Sequence, residues 1–231
     1  MAILADLEVL GFTPDEPPLD ALSTGQPSDY RQSDQGDAYA AAVASLEAMG
    51  LVYACDCSRT SFAEWASAHG RPWSGPGCPG DCATRGLPRE TDDVSWRVSL
   101  GGGDEAWVDL AVGSESGPAS GQGDPSVRDR KGNWTYTLCV VVDDIRHGID
   151  LIIRGEDLLH ATPTQIRLAR LLGRVEPPRF LHHPLIMGAD GRKLSKADGA
   201  TGVRELLAAG SSPAELRNLA ATLIGAVGLR Y

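Results

Sequence analysis

The sequence predicts an α/β protein carrying a small cysteine-bearing insert, and three of its features lead there. Two continuous apolar runs, TLCVVV (137–142) and IDLIIR (149–154), have the character of strands buried on both faces of a parallel sheet. The second run is followed by a well-punctuated helix, and a last helix opens in the same way near residue 212. Upstream, four of the five cysteines fall between Cys55 and Cys82. That region includes RPWSGPGCPGDC, a stretch too poor in large apolar side chains to build a core of its own.

Taken in order, residues 2–11 read as a short amphipathic helix stopped by Gly11, and residues 12–36, rich in Pro, Ser and Asp, read as loop. Asp37 to Met49 is alanine-rich and helical, with Gly50 as its stop. LVYA (51–54) is a short strand that delivers the chain to the first cysteines, and a helix is expected around 60–69. VSWRVSL (94–100) and AWVDLAV (106–112) alternate, and are expected to pair as antiparallel strands around the turn GGGDE. Residues 113–133 show no periodicity, and such a stretch is more often functional or mobile than neutral. After IDLIIR, a helix should start with Thr162 as N-cap, Pro163 in the first turn and Gln165 in the capping-box position, ending before Gly173. Ser212, Pro213 and Glu215 repeat that device and open a helix to about Val227.

Composition narrows the function classes. Acidic residues outnumber basic ones 31 to 21, a formal charge of −10, which argues against sequence-independent coating of nucleic acid. A local basic site on an acidic body remains compatible with that balance. No run approaches the roughly 18 apolar residues of a membrane span. MAILADLEVLGF has neither a basic n-region nor a small-residue cleavage site. The expectation is a soluble, cytoplasmic, monomeric protein with no membrane partner.

Three constellations carry chemistry. Cys55-x-Cys57 and Cys78-x-x-x-Cys82 can converge as four thiolates around one structural zinc, the glycines beside them allowing tight turns. The alternative is a set of reduced surface thiols. In GADGRKLSKADGATGV (188–203), Lys193 and Lys196 sit three apart between glycines, suited to gripping a polyphosphate. The segment is not a Walker loop, and its alternative is a solvated basic turn. Arg154 ends an apolar strand before Gly155, where a ligand could approach the backbone and an arginine can clamp a carboxylate. The competing expectation is a buried salt bridge with Asp143, Asp144, Glu156 or Asp157. Tyr136, placed in the flanking strand, is either a core tyrosine or a hydroxyl pointing into the same crevice. His182 and His183 show no partner pattern, and are expected to be structural or phosphate-adjacent.

With these segments in hand, the chain resembles the class I glutamyl-tRNA synthetase catalytic domains over about residues 3–229, most closely their truncated glutamyl-Q branch. KLSKA (193–197) is similar to the family's KMSKS loop. YTLCVVVDD with LIIRGEDLLHATPTQIRLARLLG resembles its glutamate-site segment. LVYACDCSR with Cys78 and Cys82 resembles its zinc-binding insert, and ILADLEVLGF its early helix. The resemblance implies a Rossmann-type parallel sheet, with a helical part over 1–50, the zinc-binding insert over 51–90 and the rest of the catalytic domain over 91–231. It implies that Tyr136 and Arg154 bind glutamate, that Lys196 and Lys193 bind ATP, accompanied by magnesium, and that Cys55, Cys57, Cys78 and Cys82 ligate zinc. It implies tRNA-independent activation of glutamate to glutamyl-AMP, then transfer to the queuosine of tRNA(Asp). Leu158-Leu159 after RGED, and the few residues after Ala197, favour the branch without an anticodon-binding domain. Arg128, Arg130 and Lys131 would make 113–133 an RNA-facing element.

Members of the family begin with a strand, a loop of HIGH type and a helix, then a strand ending in an acidic element. The first residues here already match the helix after all of these. The expectation is therefore an incomplete sheet and a natural start further upstream. Two competing expectations are a non-catalytic, zinc-containing RNA-binding or regulatory remnant, and a fragment of a glutamyl-tRNA synthetase.

Overall fold

The computed structural model describes residues 2–18, 21–22, 25–70, 72–73, 75–187, 202–223 and 225. Helix α1 (Ala2–Val9) ends at Gly11, whose φ of +81° reverses the chain where a β-carbon would be strained. Among the described residues of the Pro-rich stretch after it, Ala21 and Leu22 are helical and Gln32–Asp34 form a 3-10 turn. Helix α2 (Gly36–Ala48) buries Tyr39, Val43 and Leu46, the i, i+4, i+7 stripe of one face. Strand β1 (Val52–Cys55) and helix α3 (Arg59–Ala68) follow, the latter capped reciprocally by Ser58 and Ser61.

Strands β2 (Ser95–Val98), β3 (Asp104–Asp109), β4 (Gly113–Pro118) and β5 (Ser126–Arg128) correct two expectations. Those containing VSWRVSL and AWVDLAV do not pair with each other. β2 pairs antiparallel with β1 and β5, while β3 pairs antiparallel with β4, from Asp104 opposite Pro118 to Asp109 opposite Gly113. The GGGDE turn passes the chain from one sheet to the other. Residues 113–133 hold two strands of this arrangement, unmarked in the sequence because Gly and Ser fill most of β4. Along β3 the alternation is real but inverted in polarity. Glu105, Trp107 and Asp109 face inward, while Val108 is 48% exposed.

The run TLCVVV is not a strand. It lies inside helix α4 (Tyr136–Arg146), which buries Leu138, Cys139, Val141 and Val142. Positions 138, 141, 142 and 145 follow the helical period once DDIR is read with the run, and burial of that face outweighs the strand preference of three valines. IDLIIR does form a strand, β6 (Leu151–Gly155), followed by helix α5 (Thr162–Leu171) and strand β7 (Arg179–His183). Sheet order is β4-β3-β7-β6, with β3 and β7 parallel, so this sheet is mixed rather than all-parallel. Thr162 is the first residue of α5 rather than its cap, and its hydroxyl and the Gln165 amide are used elsewhere.

The chain divides into two compact units. In the larger one (35–154 and 158–182), the core joins α2, α4 and α5 to the first sheet through Tyr39, Leu46, Val98, Val127, Leu138 and Leu168. The Tyr39 hydroxyl donates to both oxygens of Asp143 at 3.0 Å. A second cluster of Trp107, Ile166 and Phe180 backs the other sheet. The smaller unit (1–34, 155–157 and 183–231) holds α1, α6 (Val203–Ala208) and α7 (Pro213–Leu223). Arg204 pairs there with Asp6 at 2.6 Å, and Ser212 and Glu215 form the expected cap of α7. The space beside the Gly155 α-carbon is taken by side chains of its own unit. A β-carbon there would lie 2.7 Å from Asp157 Oδ1 and 3.0 Å from Leu185 Cδ2. Among the described residues no helix is long and apolar enough to cross a membrane.

Candidate active site and metal centre

Strand alternation sets the first site. Ile152 packs on the Trp107 cluster, Ile153 is 63% exposed, and Arg154 returns to the side of Ile152. Its guanidinium carbon lies 5.2 Å from the centre of the Phe180 ring. Nε donates to His182 Nε2 at 3.0 Å, Nη1 to Gln165 Oε1 at 2.5 Å and Nη2 to Thr162 Oγ1 at 2.7 Å. All three acceptors are neutral, so the salt bridge expected as the alternative is not how this arginine is held. An arginine has five N–H groups, and these three acceptors engage one each, leaving donor capacity on both Nη atoms. Burial lowers the pKa of Arg154, opposed by the nearby Tyr136 hydroxyl and Asp144 carboxylate. The group nevertheless keeps its charge. The result is a half-buried cation held by neutral groups, the electrostatic condition for binding an anion.

Behind it stands an acid. His182 Nδ1 lies 2.5 Å from Asp109 Oδ2, and Asp109 Oδ1 accepts the Ala111 N–H at 2.9 Å. Burial would raise the Asp109 pKa, but the hydrogen bonds from His182 and from the Ala111 N–H outweigh it and hold it low. Spacing does not reveal this pair, because Asp109 and His182 lie 73 positions apart and meet only through the β3–β7 pairing. An acid on the inward face of an alternating strand was the one available signal. His183, by contrast, is turned to the Pro184 carbonyl.

Tyr136 opens α4 and is 56% exposed, so it is neither a core tyrosine nor part of a strand. Its ring lines a cleft of about 220 Å³ with Gly77, Ser126, Thr135, Thr137 and His160. Its hydroxyl acts electrostatically on Arg154, so the structure brings these two residues together. Lys193 and Lys196 lie outside the described residues.

The second site gathers Cys55 at the end of β1, Cys57, Cys78 and Cys82, whose sulfurs all lie within 4.8 Å of one another. Gly77 permits the approach, since a β-carbon there would lie 2.4 Å from the Gly123 carbonyl carbon. Cys78 is tied to Asp124 by backbone bonds in both directions, and Cys82 rides on a 3-10 turn that follows Gly80 at φ +110°. A tetrahedral zinc with bonds near 2.3 Å sets sulfurs roughly 3.8 Å apart, so the donor set and its spread fit that ion. The Cys78 thiol is pulled down by hydrogen bonding from Cys55 and from the Gly80 and Cys82 backbone. Cationic groups gather around the sulfurs. Arg85 reaches Cys82 Sγ at 3.6 Å, and Arg130 donates to the Asp56 and Cys57 carbonyls. Buried Arg97 donates to the Asp124 carbonyl at 2.8 Å. Arg130 also pairs with Asp93, and Arg128 lies over the Trp96 and Trp134 rings, so two cations expected to face RNA have protein partners.

Comparison with known proteins agrees with this layout. The model for the catalytic domain of class I tRNA synthetases (E and Q) matches residues 117–224. A glutamyl-Q tRNA(Asp) synthetase of Symbiobacterium thermophilum is 40% identical over 97% of this chain and 70% of its own length. One of Burkholderia cenocepacia is 38% identical over 86% of this chain and 63% of its own. The chain thus spans roughly two thirds of the length of these curated relatives. The crystal structure of the glutamate–tRNA synthetase of Elizabethkingia anophelis superposes with a TM-score of 0.72 at 23% identity, covering 96% of this chain and 50% of that one. That likeness concerns the fold.

Proposed function

This chain belongs to the glutamyl-Q tRNA(Asp) synthetase family, and on that premise we propose that it serves ATP-dependent, tRNA-independent activation of glutamate and its transfer to the queuosine of tRNA(Asp). In the first step a glutamate carboxylate oxygen attacks the α-phosphorus of ATP. An acyl–phosphate anhydride forms and pyrophosphate leaves. In the second, a hydroxyl of the acceptor nucleoside attacks the activated carbonyl carbon, its proton is lost, and AMP leaves. Arg154 binds a glutamate carboxylate and Tyr136 closes the same pocket with its hydroxyl. Lys193 and Lys196 hold the ATP phosphates, with magnesium as the accompanying ion. Zinc on Cys55, Cys57, Cys78 and Cys82 fixes the fold of the insert and supplies no step.

The observation that carries the reading is Arg154, a guanidinium oriented on three neutral acceptors beside an exposed tyrosine. Calorimetric titration with glutamate tests it. Arg154→Ala is expected to weaken binding about a hundredfold, the range for removing one partner of a desolvated charge pair. Unchanged glutamate affinity in the folded variant would overturn the role of this arginine.

A further inference from the structure

Arg154 is held by an imidazole where an acid would be the ordinary partner, and the acid lies one step further back. Its Nε–H can only donate, and the Asp109 carboxylate can only accept. His182 bridges the two, Nδ1 at 2.5 Å from Asp109 Oδ2 and Nε2 at 3.0 Å from Arg154 Nε. Both contacts are satisfied by one form of the ring, neutral, with hydrogen on Nδ1 and a lone pair on Nε2. The ring is fixed in place as well. It stacks on Phe180 at 5.6 Å and 9°, and is 7% exposed. The Thr162 hydroxyl, 3.2 Å from Nε2, accepts from Arg154 Nη2 and so braces the same corner.

We propose that Asp109 and His182 are a positioning pair for Arg154: the acid fixes the histidine tautomer whose Nε2 lone pair orients the guanidinium without neutralising it. The inference rests on the reading of Arg154 as the carboxylate-binding group. A carboxylate placed directly on Arg154 would compete with the substrate for the same N–H groups. A neutral imidazole orients them and leaves the charge to the ligand. Were the ring hydrogen on Nε2, two N–H groups would oppose each other at 3.0 Å, and the guanidinium would have to turn away.

The test combines long-range proton–nitrogen spectra of the imidazole with glutamate titration of the full chain. In the wild type, His182 is expected to be neutral with its hydrogen on Nδ1, and Arg154 Nε–H to exchange slowly. In Asp109→Asn, Oδ1 continues to accept the Ala111 N–H, which turns the amide N–H towards His182 Nδ1. The ring hydrogen should then move to Nε2, the slow Arg154 signal should vanish, and glutamate should bind about tenfold more weakly with the fold intact. A second pair covers a variant that fails to fold. His182→Gln offers an amide oxygen to Arg154 Nε, and should bind glutamate more tightly than His182→Leu. A wild-type ring carrying hydrogen on Nε2 would overturn the proposal, as would an Asp109→Asn protein with the reversed tautomer and unchanged glutamate affinity. Equal binding by the Gln and Leu variants would overturn it too. A wild type that shows the stated spectra but binds no glutamate would instead overturn the reading of Arg154 on which the positioning role depends.

Discussion

The cysteine cluster and the Arg154 network are both polar centres within the larger unit, yet opposite means assemble them. The four sulfurs come from the end of β1 and from turns rich in Gly and Pro, and beside the cysteines themselves the one partly buried hydrophobic group packed on the cluster, among the described residues, is Tyr53. Arg154, Asp109, His182, Thr162 and Gln165 stand on three strands and a helix, backed by Trp107, Ile166 and Phe180. In the first region the functional groups must supply their own cohesion, so a metal ion held by the four sulfurs would be part of the fold. In the second the hydrophobic frame comes first, and the polar groups take the geometry it imposes.

Removing the ligand should therefore separate the two regions. Cys55→Ser with Cys57→Ser, or treatment with a strong chelator, is expected to release one zinc per chain. Sites of this kind contribute on the order of 10 kcal/mol. Hydrogen exchange should show lost protection over residues 52–85, with α4 and α5 still protected. Equal loss in both regions would break the comparison, and freshly purified protein without metal would remove its basis. The reciprocal change lies in the frame. Glu105 is 5% exposed and accepts from Arg167 at 2.5 Å and Arg170 at 2.9 Å. Glu105→Gln leaves two guanidinium groups without their acid and should cost roughly 3 kcal/mol in denaturant unfolding. Zinc content should stay at one per chain.

The same difference decides what is legible in the sequence. The chemistry of the cluster resides in residue type, so four cysteines at short spacing announce their meeting through spacing alone. Local punctuation is legible too, from Gly50 after α2 to Ser212 and Glu215 before α7. The Arg154 network consists of ordinary residues whose meaning lies in their partners. Thr162 and Gln165 fit a capping pattern and serve an arginine instead, and His182 shows no partner pattern because its partner lies on another strand. TLCVVV misleads for a related reason, since an apolar run of six does not distinguish a buried strand from one face of a helix. The Gly- and Ser-rich β4 carries no strand pattern of its own, and takes its conformation from pairing with β3.

If the frame dictates to its polar groups, it should also set the protonation of an acid at its margin, and Asp144 on α4 is that acid. It lines a small cavity with Ile152, Gln165, Arg174 and Phe180. Burial, with Asp143 adding, pushes its carboxyl from an ordinary 3.8 up to about 6, against the opposing charges of Arg174, Arg154 and His147. The folded chain therefore favours the protonated form. The corresponding stability is full below the unfolded value and is lost as pH rises from about 4 through about 6. Solvent screening at this partly exposed group keeps the loss on the order of 1 kcal/mol. Unfolding free energies of wild type and Asp144→Asn, measured from pH 4 to 7, should diverge by that amount, the variant lacking this component of the slope. Parallel curves would mean that Arg174 and Arg154 already compensate the ionised carboxylate, and that the frame yields to its charges at this edge as the cysteine region would to a bound metal ion.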